Sequence, residues 1–286
     1  MEEAGRRFPS RHTKRESQNE LTLLTMDSTP MFFVALIPPL CGAIIAVATA
    51  LTVHQKYITN YNWMCGRAVL PSFSRIINLE FEGIVFQLFI YFHVPLRLLE
   101  LTVGFNRYRQ LMSVTCTWPR IYNLSRWAYT IFGTLEVVLM LGLSAVGEKE
   151  HGIIHIIFFY VYGFFALAFF ITNTMCHSQS LYYLNPYGRL SYRLKCIFLG
   201  MYMISIPMIV TFYLLYWKAC ITIGYELFAL TEYADAFIST AYHCCAFFDI
   251  RYKVLFKLTY CPRRLQQLAE STKKTSNNEQ IANATS

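Results

Sequence analysis

Residues 83–103, GIVFQLFIYFHVPLRLLELTV, decide the fold class. At about 1.5 Å rise per residue, a helix of this length crosses a hydrocarbon core of about 30 Å. Yet His93, Arg97 and Glu100 stand inside it. On a helix turning about 100° per residue, positions i, i+4 and i+7 share one face. An imidazole, a cation and an acid are therefore presented to one side. Facing lipid tails, such a stripe costs a few kcal/mol per charged residue, so it is expected to face other helices or a wet cavity. Pro95, between them, has no N–H to give to the helix and predicts a local bend.

The remaining chain supplies the neighbours. Hydrophobic residues make up 55% and charged residues 15%, with a mean hydropathy of +0.35, which excludes an ordinary soluble domain. Windows of about 20 residues give six spans: 31–53, 83–103, 127–147, 152–175, 195–217 and 227–248. The expected class is an all-α polytopic membrane protein. A basic tail (1–30) precedes a six-helix domain (31–256), and a second tail (257–286) follows; both tails are expected to lack regular structure. The apolar run after the first tail is longer than a signal-peptide core and reads as a retained span kinked at Pro38 and Pro39. Met26 is a second candidate start.

Orientation follows from Lys and Arg. Nineteen fall in the two tails and the second and fourth loops, against five on the other side: Lys56, Arg67, Arg75, Lys149 and Lys218. Both termini are therefore expected in the cytosol, and the net charge of +8 is chiefly a topology signal. No basic and aromatic interleaving on a soluble module points to nucleic acid. Nine cysteines cannot all pair within the chain. Only Cys65 and Cys220 fall on the oxidising side, which predicts a disulfide between them. Cys244, Cys245 and Cys261 are weak candidates for palmitoylation. The sequons at Asn123 and Asn283 lie on the cytosolic side, where glycosylation is not expected.

The first lumenal loop, 54–82, exceeds what a turn requires. It reads either as a disulfide-tied cap or as a cover over a headgroup site, with Arg75 or Arg67 on phosphate. Trp118 and Trp127 suit an interfacial belt. Glu136, mid-span, needs a cation or a proton, and Arg97 is the nearest candidate; an ion pair and a catalytic role both remain open. His155 falls one turn into the fourth span. The fifth span, with Pro207, carries no charge and reads as scaffold. In the sixth, Glu232, Asp235, Ser239 and His243 stand at offsets 0, 3, 7 and 11 within one arc of the helical wheel, with Asp249 at the end. Such histidines and carboxylates suit proton transfer or base catalysis, and the same set offers nitrogen and oxygen ligands to a metal. No HExxH, GxSxG or paired CxxC motif is present, and no cofactor is identified.

One combination is more specific than any single motif: Cys65, Leu70-Pro71-Ser72, His93 with Arg97 and Asn106, Glu136 with His155, Cys220, and Glu232 with His243 and Asp249. In this order it resembles the post-GPI attachment to proteins factor two family, within the Frag/DRAM/Sfk group of six-span membrane proteins. The resemblance runs over about residues 31–256. It implies lipid remodelling of GPI anchors: conversion of lyso-GPI to GPI with a saturated sn-2 chain, needed for stable surface expression of GPI-anchored proteins. It also implies a Golgi location, with the endoplasmic reticulum second. The partners expected are GPI-anchored proteins, membrane lipids and an upstream GPI phospholipase. Whether the chain is itself an acyltransferase, and with which donor, stays open. On this reading His155 or His243, oriented by Glu232 or Glu136, is the candidate base. Arg75, His93, Arg97, Asp235 and Asp249 are the candidate substrate contacts. A proton-coupled transporter using the same stripe as a relay, and a non-catalytic scaffold similar to the group's autophagy-linked members, are the alternatives.

Overall fold

The computed structural model describes residues 21–59, 65–113, 116–250 and 255–260. The described residues fall into two units, one within 28–250 and one of 21–27 with 255–260. In the smaller unit β1 (Leu21–Asp27) pairs antiparallel with β2 (Leu255–Tyr260), with an irregularity in register between Thr22 and Leu24. Regular structure thus enters stretches of both tails that were expected to have none. Cys261, Asn283 and the basic residues at 6–15 and 251–253 lie outside the described residues.

The larger unit is all helical. Its long members are α1 (Ser28–Thr52), α4 (Glu80–Gln110), α5 (Pro119–Ala145), α6 (Glu148–Ser178), α7 (Pro186–Trp217) and α8 (Thr222–Cys244). Short helices α2 (Gln55–Thr59) and α3 (Phe73–Ile76) lie between α1 and α4, and α9 (Ala246–Ile250) follows α8. Among the described residues, five helices are long and apolar enough to cross a membrane: α1, α4, α5, α6 and α7. The helix α8 is long enough, but Glu226, Glu232 and Asp235 put it outside that group, so the expected count of six is not reached on composition.

Local chemistry sets the helix ends. Ser72 accepts from the Arg75 N–H at the start of α3. Asn185 accepts from the Tyr187 N–H, with Pro186 at the first position of α7, and Pro119 opens α5 in the same way. The helix α4 runs on through Pro95 as a single element. In α6 the helical backbone is broken at His151 (φ −136°, ψ 56°).

Consecutive long helices pack on one another, so the chain runs up and down. The first loop, the α5–α6 turn and the α7–α8 turn therefore meet at one end, and Cys65 is bonded to Cys220 there. The α4–α5 and α6–α7 links and α9 meet at the other. Between them lies a core of Leu101, Tyr129, Phe169, Phe170, Tyr202 and Tyr242. Its buried hydroxyls are bonded, as Tyr108 Oη to Asn173 Oδ1 (2.7 Å) and Tyr122 Oη to the Tyr108 carbonyl (2.7 Å).

The distribution of polarity is that of a membrane protein. Ile153 is 79% exposed and Phe237 69%, while Arg97, Glu136, Lys195 and Glu232 are buried. Apolar groups outside and charges inside suit a hydrocarbon solvent, where unmatched polar groups are the costly ones.

Candidate functional site

Three polar assemblies occupy the larger unit. The first lies at the end held by the disulfide. Glu232, on α8, is 5% exposed and receives the Ser74 Oγ (2.5 Å), the Phe73 N–H (2.8 Å) and the Ser74 N–H (3.2 Å). The N-terminus of α3 thus closes on a carboxylate from the helix opposite. The hydroxyls of Tyr225 and Tyr233 fix the preceding turn, one accepting from the Ser72 N–H (3.2 Å) and the other donating to the Pro71 carbonyl (2.9 Å). Arg75, also buried, lays its guanidinium over the Tyr225 ring at 4.6 Å, and its Nε stands 3.7 Å from Glu148 Oε1 on α6.

His155 completes this end. It is 3% exposed, and its Nδ1 lies 2.6 Å from the Val146 carbonyl. A carbonyl only accepts, so Nδ1 carries the proton and Nε2 presents a lone pair. That Nε2 is buried without a hydrogen-bond partner, as is Glu148 Oε2. Both residues line a partly open cleft with Ser72, Ser74, Tyr213, Trp217, Tyr225 and Phe228. Of the two carboxylates considered as orienting groups, Glu232 is occupied by α3, and the His155 ring is held by the Val146 carbonyl. Arg67, the other loop cation considered, is exposed.

The second assembly lies mid-bundle. Arg97 bonds Glu100 Oε2 through Nη1 (2.8 Å), sits over the Phe169 ring (4.9 Å), and has Nη2 3.7 Å from Glu136 Oε2. His243 Nε2 lies 3.0 Å from Glu136 Oε1, and its ring stacks on Phe169. With the carboxylate accepting, that nitrogen is a donor rather than a base toward this partner. His93 turns instead to α1, with Nδ1 2.6 Å from the Ala35 carbonyl. That carbonyl has no helical donor because the residue four later is Pro39.

The third assembly is at the far end. Asp249 Oδ2 takes Lys195 Nζ (2.6 Å) and Arg107 Nη2 (3.2 Å), and Oδ1 takes Ser191 Oγ (2.7 Å). Burial alone would raise this carboxyl, but Lys195, His177 and Arg107 outweigh it and hold it well below the ordinary carboxylate range. His177 Nε2 donates to the Gly188 carbonyl (2.8 Å), leaving Nδ1 toward Lys195 Nζ (3.4 Å). A Cβ at Gly188 would collide with the Tyr182 carbonyl oxygen, so this close approach requires glycine. Arg107, Lys195 and Asp249 line a second, partly open hollow together with Arg97, Glu100 and His243.

The α8 stripe is therefore real as a face but divided in partnership. Glu232 bonds α3, Asp235 bonds Ser205 on α7, and His243 bonds Glu136 on α5. The expected substrate contacts separate likewise: Arg75 belongs to the first assembly, His93 and Arg97 to the second, Asp249 to the third. Among the described residues no group of three or more His, Cys, Asp or Glu converges to hold a metal. The residues missed in the sequence are Glu148, read as part of a polar turn, and the rings of Tyr213 and Trp217, in a span read as scaffold. Their signal was an i, i+4 aromatic pair at the same end as His155. Arg107 and Lys195 were counted only as loop charge.

The Frag1/DRAM/Sfk1/Cwh43P N-terminal domain model matches residues 28–253, the greater part of the chain and nearly all of the helical unit. No curated protein and no solved structure matches.

Proposed function

The chain belongs to the Frag1/DRAM/Sfk1/Cwh43P N-terminal domain family, and from that premise we propose that it remodels the lipid of GPI anchors, converting lyso-GPI to GPI with a saturated sn-2 chain in Golgi or endoplasmic reticulum membranes. The observation that carries the reading is the cleft beside the disulfide, where a buried imidazole with an unbonded Nε2 stands among aromatic side chains. A lyso-lipid needs both features: a hydroxyl to be received and apolar surface for the adjoining chain. Placed with the first loop on the lumenal side, the cleft faces the compartment that holds the GPI glycan.

His155 Nε2 is positioned to accept the proton of the lyso-lipid hydroxyl as its oxygen attacks the carbonyl of an acyl donor, and to return that proton to the leaving group. Glu136 is bonded to His243 and paired by charge with Arg97, and the three act as the brace of the bundle. Because the stripe on α8 is divided among three partners, it offers less support to a continuous proton relay.

The test is mass spectrometry of GPI lipids from cells lacking the endogenous factor, with and without this chain. Restored diacyl, saturated anchors are expected. Persistent lyso-GPI in cells that express and localise the chain would overturn the reading.

A further inference from the structure

The walls and the acceptors of the first cleft specify more than a hydroxyl. Trp217, Tyr213, Phe228 and Tyr225 form a continuous aromatic wall, with successive ring centroids 5.9, 5.8 and 6.0 Å apart. The face of one of these rings already carries a cation, the Arg75 guanidinium over Tyr225. The acidic groups around the cleft are the buried Glu232 and the half-buried Glu148, and the guanidinium of Arg75 stands against them. Glu232 has its hydrogen bonds from α3, whereas Glu148 Oε2 is shielded from solvent with no hydrogen-bond partner. His155 Nε2, seven residues along the same helix and 3% exposed, is a second unmatched acceptor lining the same space.

An aromatic wall attracts any organic cation, quaternary or not. Two unmatched acceptors, one of them charged, distinguish between the kinds. A trimethylammonium group has no N–H and leaves Glu148 Oε2 as it is, at the price of a buried acceptor without a donor. A primary ammonium supplies a charge-assisted hydrogen bond to the same oxygen and still rests on the rings. We propose that this cleft binds the primary ammonium group of an amino-alcohol moiety, with Glu148 taking the charge, the Trp217–Tyr213–Phe228 wall packing the adjoining methylenes, and His155 Nε2 accepting from a neighbouring hydroxyl. The proposal rests on the cleft being the lipid-binding site of the remodelling reading. It deepens that reading by naming the headgroup chemistry. Two sources carry such a group, the ethanolamine headgroup of a glycerophospholipid and the unacetylated amino sugar of a glycan.

The purified full-length chain in detergent is titrated with dihexanoylphosphatidylethanolamine and dihexanoylphosphatidylcholine by calorimetry. The ethanolamine lipid is expected to bind tighter by about tenfold or more, the scale of one charge-assisted hydrogen bond. Glu148→Gln abolishes the preference, and Trp217→Leu weakens both lipids, each variant being checked for an unchanged melting temperature. Should Glu148→Gln fail to fold, Glu148→Asp serves in its place and reduces the preference by shortening the reach. Competition with O-phosphoethanolamine and with glucosamine separates the sources: the stronger competitor identifies the moiety, and displacement by either supports the proposal. Equal affinity for the two lipids, a preference unchanged in folded Glu148 variants, or displacement by neither amine overturns it. Binding is read with no transfer taking place, so failure here leaves GPI remodelling standing, and persistent lyso-GPI in cells leaves the binding result standing.

Discussion

His155 and Asp249 are both buried titratable groups, and they differ in what is left unbonded. The Asp249 carboxylate is filled by Lys195, Arg107 and Ser191. The His155 ring spends one nitrogen on Val146 and keeps the other. The first is built to hold elements together, the second to receive something. Asp249→Asn leaves Lys195 and Arg107 without their counter-charge and is expected to destabilise the chain by about 3–5 kcal/mol, read as a fall in melting temperature of the detergent-solubilised protein. In the double variant with Lys195→Met the loss should be smaller than the sum of the two single losses, because the change removes one of the stranded charges. An additive result would mean that the two groups act independently. His155→Gln has the opposite profile. Glutamine retains a donor for the Val146 carbonyl but has no basic nitrogen, so the melting temperature holds. GPI remodelling should fall by about 10²-fold or more if the imidazole moves the proton. Retained remodelling in this variant would assign the chain to presenting the lyso-lipid rather than acylating it.

Helix existence was legible from hydropathy, whereas helix ends and partners were not. The expected span 83–103 lies inside α4 (Glu80–Gln110), and 195–217 lies inside α7 (Pro186–Trp217), because the ends are set by Asn185, Pro186 and similar punctuation rather than by where apolarity stops. The stripe on α8 was legible as a face because helical offsets fix it. Its partners were not, because Ser74, Ser205 and Glu136 are distant in sequence, and only tertiary packing chooses among them. The Asp249 assembly was hidden for a different reason: Arg107, in the last turn of α4, and Lys195, at the edge of the apolar run of α7, were read as basic residues that carry the topology signal. The two prolines of α1 show a pairing that neither element reveals alone. Pro39 leaves the Ala35 carbonyl without a helical donor, and His93 from α4 supplies one at 2.6 Å. His93→Ala should therefore destabilise by about 1–3 kcal/mol through an unsatisfied buried acceptor. Adding Pro39→Ala restores an N–H four residues on and should recover much of that loss. Thermal melts of the two single variants and the double variant decide the point: a double variant no better than His93→Ala would show that the histidine serves the helix pair in some other way.

Topology turns on α8. If only the five strongly apolar helices crossed the bilayer, the two termini would lie on opposite sides; with α8 crossing, they lie on the same side. The acids that lower the apolarity of α8 have internal partners. Glu232 is enclosed by the hydroxyl and N–H groups of α3, half-buried Asp235 takes the Ser205 hydroxyl, and Glu226 takes the Val69 N–H of the first loop, so the penalty that composition assigns to them is offset. Phe237 and Leu230, by contrast, are exposed on the same helix, as a lipid-facing surface requires. The Cys65–Cys220 bond adds a constraint, since it joins the first loop to the α7–α8 turn and puts both in one compartment, the oxidising one. In sealed microsomes, tags at the two termini are therefore expected to be cleaved by added protease, while a tag in the α5–α6 link at 146–147 is protected until detergent is added. Cys65→Ser with Cys220→Ser should lower the melting temperature, by the equivalent of about 2–4 kcal/mol, without changing that protection pattern. A protected C-terminal tag beside a cleaved N-terminal one would mean that α8 stays on one side of the membrane. The cleft would keep its lumenal face even so, because the first loop, the α5–α6 turn and Cys220 all precede α8 in the chain.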